Sequence, residues 1–71
     1  MIYYAKIQEL ENGYLVTFRD VPEALTQGDT YEEAVEMAQD ALKTALEFYT
    51  EKGLSHPRPT PKHLGEYKIF I

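Results

Sequence analysis

From Thr30 to Gly53 the chain carries one uninterrupted apolar stripe at helical spacing, and this stripe constrains most of what the rest can be. Tyr31, Ala34, Val35, Ala38, Leu42, Ala45, Leu46 and Tyr49 recur at intervals of three and four, the period of one face of an α-helix. Thr30 followed three residues later by Glu33 is a capping box. Glu32 and Glu33 complement the positive end of the helix dipole. Gly53, directly after Lys52, is the glycine that closes such a helix. A helix of about five turns with a single apolar face is marginal in water, so the remaining segments have to cover that face.

Those segments read as strands. Tyr3 to Gln8 is rich in aromatic and β-branched residues and places Tyr3, Ala5 and Ile7 on one side. Tyr14, Val16 and Phe18 alternate against Leu15 and Thr17 in the next run. Asn12-Gly13 between the two is a hairpin signal in which both residues tolerate positive φ. Pro22 interrupts the pattern over residues 19–24, because proline has no donor for a strand ladder. Residues 24–28 form a short third strand closed by a turn at Gly28-Asp29. Proline alternates at positions 57, 59 and 61, which makes that stretch extended and carries the chain from the helix end back across the fold. Glu66 to Ile71 is the final strand, with Tyr67, Ile69 and Ile71 on one face. The expected architecture is α+β in the order β-β-β-α-β: a small antiparallel sheet with one long amphipathic helix on one face. With 71 residues, a single domain over residues 1–71 is expected.

Composition narrows the function. Seven basic and 12 acidic side chains give a net charge of -5, the wrong sign for a protein whose main partner is a phosphate backbone. A basic protein partner suits it better. The absence of cysteine removes disulfides and thiolate metal sites. No apolar run is long enough to span a membrane, and the first residues lack the pattern of a secretory signal, so the cytoplasm is the expected location. So small a chain has a thin stability margin, and self-association into a dimer or higher homo-oligomer is expected.

Chemistry-bearing motifs are sparse. There is no glycine-rich phosphate loop, no two-histidine helical motif and no serine elbow around Ser55. His56 and His63 are separated by three prolines and nothing in the sequence fixes them around a metal. The twelve carboxylates would have to converge to hold the two metals of a nuclease, and no spacing brings them together. No catalytic residue, metal ligand or cofactor is therefore assigned. Glu33, Glu36, Asp40, Lys43, Glu47 and Glu51 line the outer face of the helix, readable either as a solvated face or as a docking face for a basic partner. The six tyrosines and three phenylalanines exceed what one small core hides, and some suit an interface.

The stretch Asp20-Val21-Pro22-Glu23-Ala24-Leu25-Thr26-Gln27-Gly28-Asp29-Thr30, followed by Glu33-Ala34, Ala38, Asp40-Ala41-Leu42 and Glu47-Phe48-Tyr49, resembles the HicB antitoxin family. Tyr14 to Phe18 before it and Pro57, Pro59 and Pro61 after it fit the same pattern, so the resemblance covers about residues 1 to 61. It implies a partial ribonuclease-H-like fold and a role in neutralising a small basic HicA toxin that cleaves mRNA with a histidine. It also implies inhibition by covering the toxin, not catalysis. Many longer relatives carry a C-terminal DNA-binding domain; this sequence ends at Ile71, and no direct DNA binding by this chain is expected. Under that reading Asp20, Glu23 and Asp29 near the loop would pair with toxin arginines and lysines, with Tyr14 and Pro22 in apolar contact.

Overall fold

The computed structural model describes residues 1–71. Five elements follow one another: β1 (Ile2–Leu10), β2 (Gly13–Phe18), β3 (Thr26–Gly28), α1 (Tyr31–Glu51) and β4 (Tyr67–Phe70). The strands form one antiparallel sheet in the order β3-β2-β1-β4, with α1 across one face. This is the α+β arrangement expected from the sequence. The last strand pairs with the first, and the proline-containing segment leading to it passes the ends of β1 and β2, with Pro57 bonded to Tyr3 and Thr60 to Asp20.

Strand alternation sorts the residues as read. Tyr3, Ala5, Val16, Phe18 and Ile69 point to the helix and are buried, and Ala34, Ala38, Leu42, Ala45 and Leu46 meet them from α1. All five helix contributors to this core are alanine or leucine, three of them alanine, so the helix lies close to the sheet. Its nearest approach is at β3. A Cβ on Gly28 would stand 2.5 Å from the Ala34 nitrogen and 2.8 Å from its Cα. Glycine at 28 is thus required by the close approach of two backbones, not by a positive φ.

Three local expectations are corrected. The Asn12-Gly13 turn is not a loop with positive φ at both residues. Leu10 pairs with Gly13, leaving Glu11 and Asn12 as the two loop residues, and positive φ occurs only at glycines, here Gly13 at 146°. Gly13 is needed there because a Cβ would lie 2.6 Å from the Gly28 carbonyl oxygen. The capping box closes one residue early: the Glu33 amide donates to Thr30 Oγ1 at 3.1 Å, but the Glu33 carboxylate receives the Asp29 amide at 2.8 Å, not that of Thr30. In the final strand only Ile69 is buried. Tyr67 and Ile71 lie toward the edge of the sheet, 39% and 41% exposed, because α1 packs chiefly over β2 and β3. Tyr31, at the start of the stripe, is likewise 44% exposed.

The helix C-terminus follows the sequence signal. Gly53 has φ 71°, its amide donates to the Thr50 carbonyl, and the Leu54 amide donates to the Tyr49 carbonyl at 2.9 Å. This pair of bonds is a Schellman closure. It satisfies carbonyls that would otherwise be left open, with no basic side chain in the last turn to help.

Candidate functional site

The segment between β2 and α1 is held from below and exposed at its tip. Val21 and Ala24 are inserted in the core. The Ala24 amide donates to the Val21 carbonyl at 2.9 Å, a turn with Pro22 at the position where its fixed φ is favourable. Pro22 and Glu23 are thereby presented to solvent. Glu23 is partly engaged: its Oε1 accepts from Tyr49 Oη at 2.7 Å. That bond, with burial and the nearby negative charge, pushes the Tyr49 phenol above its usual range.

Asp20 faces inward along the surface. Its Oδ2 accepts from the Thr60 amide at 2.9 Å and its carboxylate also receives the Thr60 hydroxyl. Arg19 beside it reaches Glu66 through Nε at 3.2 Å and Nη2 at 2.8 Å, a bidentate pair, and donates to the Pro61 carbonyl at 3.0 Å and to Thr60 Oγ1. Glu66 also accepts from the His63 amide at 2.7 Å. With Tyr3 Oη on the Pro57 carbonyl at 2.5 Å, these bonds strap the proline-containing segment to the end of β2. Asp20→Ala is expected to cost about 1 to 2 kcal/mol, since it leaves the Thr60 donors without their charged acceptor. Hydrogen exchange should show faster exchange of the Thr60 amide, with the α1 core amides falling only by the global loss. Exchange at Thr60 unchanged from the wild type would show that Asp20 does not hold the strap.

The strap gives the stability a pH profile. Hydrogen bonding from Arg19, reinforced by the His63 amide and by charge, holds the Glu66 carboxyl below its usual 4.5. A carboxyl with a depressed folded pKa stabilises the fold above the unfolded value, and that contribution is lost as pH falls through the folded value. Burial, with the Asp20 charge, raises the Tyr3 phenol above 10.0. Its contribution is full below pH 10.0 and is lost as pH rises through the folded value. Urea midpoints should therefore be flat between these limits and fall at both ends. Glu66→Gln should reduce the acid slope and Tyr3→Phe the alkaline slope; slopes unchanged in both variants would contradict these assignments.

The remaining residues picked out by the sequence lie at the opposite end of β2, about 13 Å away along the strand. Tyr14 pairs with Gly28, which brings Asp29 beside it, and the two help line a groove of about 260 Å³ with Gly13, Leu10 and Gln27. The Tyr14 ring meets Tyr31 edge-on at 5.7 Å, and Tyr31 meets Tyr67 at 6.0 Å, a half-exposed aromatic row over the start of α1. The five residues Tyr14, Asp20, Pro22, Glu23 and Asp29 thus form two groups, Tyr14 with Asp29 and Asp20 with Pro22 and Glu23. Between them runs the solvent side of α1, where Glu32, Glu33, Glu36, Asp40, Glu47 and Glu51 are all exposed, with Lys43 the one exposed cation among them. Sequence reasoning did not single out Arg19, Thr60 and Glu66. Their partners lie 40 or more positions apart, and no local pattern signals such pairs.

No three or more histidine, aspartate and glutamate side chains converge as a metal site would require. No helix is long and apolar enough to cross a membrane. The geometry offers an open, acidic, partly aromatic surface.

Comparison with known proteins bears directly on this surface. A family model described as "HicB_like antitoxin of bacterial toxin-antitoxin system" matches residues 2–71. Antitoxin HicB 1 of Photorhabdus laumondii is 65% identical over 51 residues, which is 72% of this chain and 33% of that protein. Antitoxin HicB of Escherichia coli strain K12 is 57% identical over 61 residues, 86% of this chain and 44% of that one. The chain therefore spans less than half the length of these curated relatives. Among solved structures, one chain of the HicA3 and HicB3 toxin-antitoxin complex superimposes with a TM-score of 0.75 at 24% identity, over 87% of this chain and 72% of that chain, a likeness of fold.

Proposed function

Starting from the fact that the chain belongs to the HicB-like antitoxin family of bacterial toxin-antitoxin systems, we propose that residues 1–71 act as one antitoxin domain that binds and occludes a basic, HicA-type mRNA-cleaving toxin in the cytoplasm. The observation that carries this reading is the exposed carboxylate row on the solvent side of α1, which continues to Asp29 at its N-terminal end and lies on the same chain as the loop-tip Glu23. A net charge of -5 steers a basic partner toward such a surface and disfavours RNA as a competitor. The proposed contacts are Tyr14 and Asp29 at one end of β2 and Pro22 and Glu23 at the other. Asp20 serves the surface by holding the loop as well as by its charge. The role is inhibition by occlusion, without catalysis, metal, cofactor or direct DNA contact by this chain.

The test is growth rescue. The chain is co-expressed with a HicA-type toxin that arrests growth alone, alongside the double variant Glu23→Lys/Asp29→Lys. The wild type should restore growth and co-purify with the toxin. The variant should bind at least about tenfold more weakly, as two charges turn from attractive to repulsive. Equal rescue and equal affinity would remove these two residues from the interface. No rescue and no complex with the wild type would reject the antitoxin reading itself.

A further inference from the structure

The four-stranded sheet has one edge left open, and it matches itself. Met1 and Ile71 exchange both backbone hydrogen bonds, at 3.1 and 3.0 Å. In an antiparallel ladder bonded pairs alternate with non-bonded ones. Ile69 and Tyr67 therefore turn their amides and carbonyls toward β1, while Lys68 and Phe70 turn theirs outward. The only partner supplied to this outer row is Gln39 of α1, whose Nε2 donates to the Phe70 carbonyl at 3.1 Å. Beside the edge lies a groove of about 210 Å³ between α1 and β4, lined by Val35, Gln39, Tyr67, Lys68, Ile69 and Phe70. Phe70 is 58% exposed and Met1, at the β1 end of this edge, 66%. The opposite edge, β3, has three residues and lies directly under the start of α1.

We infer that β4 pairs with β4 of a second copy of this chain, antiparallel about a two-fold axis through Ile69, to make one continuous sheet. The register follows from charge. Centring on Lys68 sets two ammonium groups opposite each other, which is destabilising. Centring on Phe70 sets ring opposite ring and gives up the pairing of each Lys68 with a Phe70. Centring on Ile69 sets Lys68 opposite the partner's Phe70 and Phe70 opposite the partner's Lys68, both pairs with outward-facing backbone groups. Within one chain Lys68 Nζ already stands 5.7 Å from the Phe70 ring, so the pairing extends a contact of ammonium and aromatic ring across the axis. On the other face Ile69 meets the partner's Ile69 and Tyr67 meets the partner's Ile71, an apolar row throughout. An exposed edge that matches itself on both faces favours a second copy over an unrelated strand. The Phe70 carbonyl has a second lone pair, so Gln39 need not be displaced.

The experiment is sedimentation of the 71-residue chain over a concentration series, beside Lys68→Pro. Proline at 68 removes an outward amide hydrogen and leaves the ladder to β1 intact. The wild type should sediment as twice 8.2 kDa. The variant should keep its circular dichroism and self-associate at least about tenfold more weakly. A wild type that remains monomeric at millimolar concentration, or a folded variant that dimerises as the wild type does, overturns the inference. If the variant does not fold, amide exchange of the wild type decides. Protection of the Lys68 and Phe70 amides that disappears on dilution supports the pairing. Protection independent of concentration, or gained only on adding a basic partner protein, overturns it.

Discussion

Gly28→Val is expected to destabilise the fold by about 3 kcal/mol, the upper end of what overpacking costs, and to lower the Tm by about 12 to 24 °C. The reason is where the added atoms fall. A Cβ at 28 meets the Ala34 nitrogen at 2.5 Å, its Cα at 2.8 Å and the Glu33 carbonyl carbon at 3.0 Å. All three are helix backbone, which does not rotate out of the way as a side chain does. Either β3 leaves its ladder with β2 or α1 lifts from the sheet. A chain of this length is stable by about 4 to 10 kcal/mol, so the loss is a large share of the whole. Gly53→Ala is the control. Nothing lies within 4 Å of its Cβ, and only the φ of 71° opposes it, which costs about 1 kcal/mol. Urea or thermal unfolding of the two variants should separate by that difference. Equal losses would mean that the close approach of β3 and α1 does not limit the packing.

Leu42→Ala should cost about 3 kcal/mol or somewhat more. Leu42 is fully buried near the middle of α1, with Ala38 and Ala45 beside it on the stripe and the β1 and β2 side chains beneath. Ala38 and Ala45 contribute little volume, so Leu42 and Leu46 supply most of the helix's apolar volume there, and Leu46, itself packed in the core, fills the space left at 42 only in part. Lys43→Ala, one position on and exposed, should change stability by no more than about 0.5 kcal/mol. Denaturant unfolding of both checks the claim. A Leu42→Ala loss near 1 kcal/mol would mean that the helix settles onto the sheet and closes the cavity.

The helix was legible because its signals are local: stripe, cap and terminal glycine all lie inside one continuous segment, and each was found where read apart from the Asp29 partner of Glu33. The hairpin was legible for the same reason, but its loop was read one residue late. Asn12-Gly13 signals a turn without saying whether glycine sits in the loop or begins the next strand, and the approach of Gly28 decided for the strand. Exposure of Tyr31 and Tyr67 was not legible. Periodicity assigns them to the apolar side, whereas the helix leans toward β3 and leaves the β4 side thinly covered.

The motif shared with the family has a double character. Val21, Gly28 and Thr30 within it act as core plug, backbone crossing and helix cap. The same stretch presents Pro22, Glu23 and Asp29 to solvent. Asp20 illustrates why sequence alone could not apportion these duties: its bond to Thr60 spans 40 positions, and nothing near Asp20 in the sequence announces it. The open β4 edge was readable as a final strand, but the outward orientation of Lys68 and Phe70 follows only from the Met1 and Ile71 pairing.

The most direct measurement is RNA cleavage by a purified HicA-type toxin, titrated with this chain. Cleavage is expected to stop as the chain reaches equimolar amounts with the toxin, with no cleavage by the chain alone in magnesium. Cleavage that continues at full rate in excess chain, or cleavage by the chain itself, would contradict inhibition by occlusion.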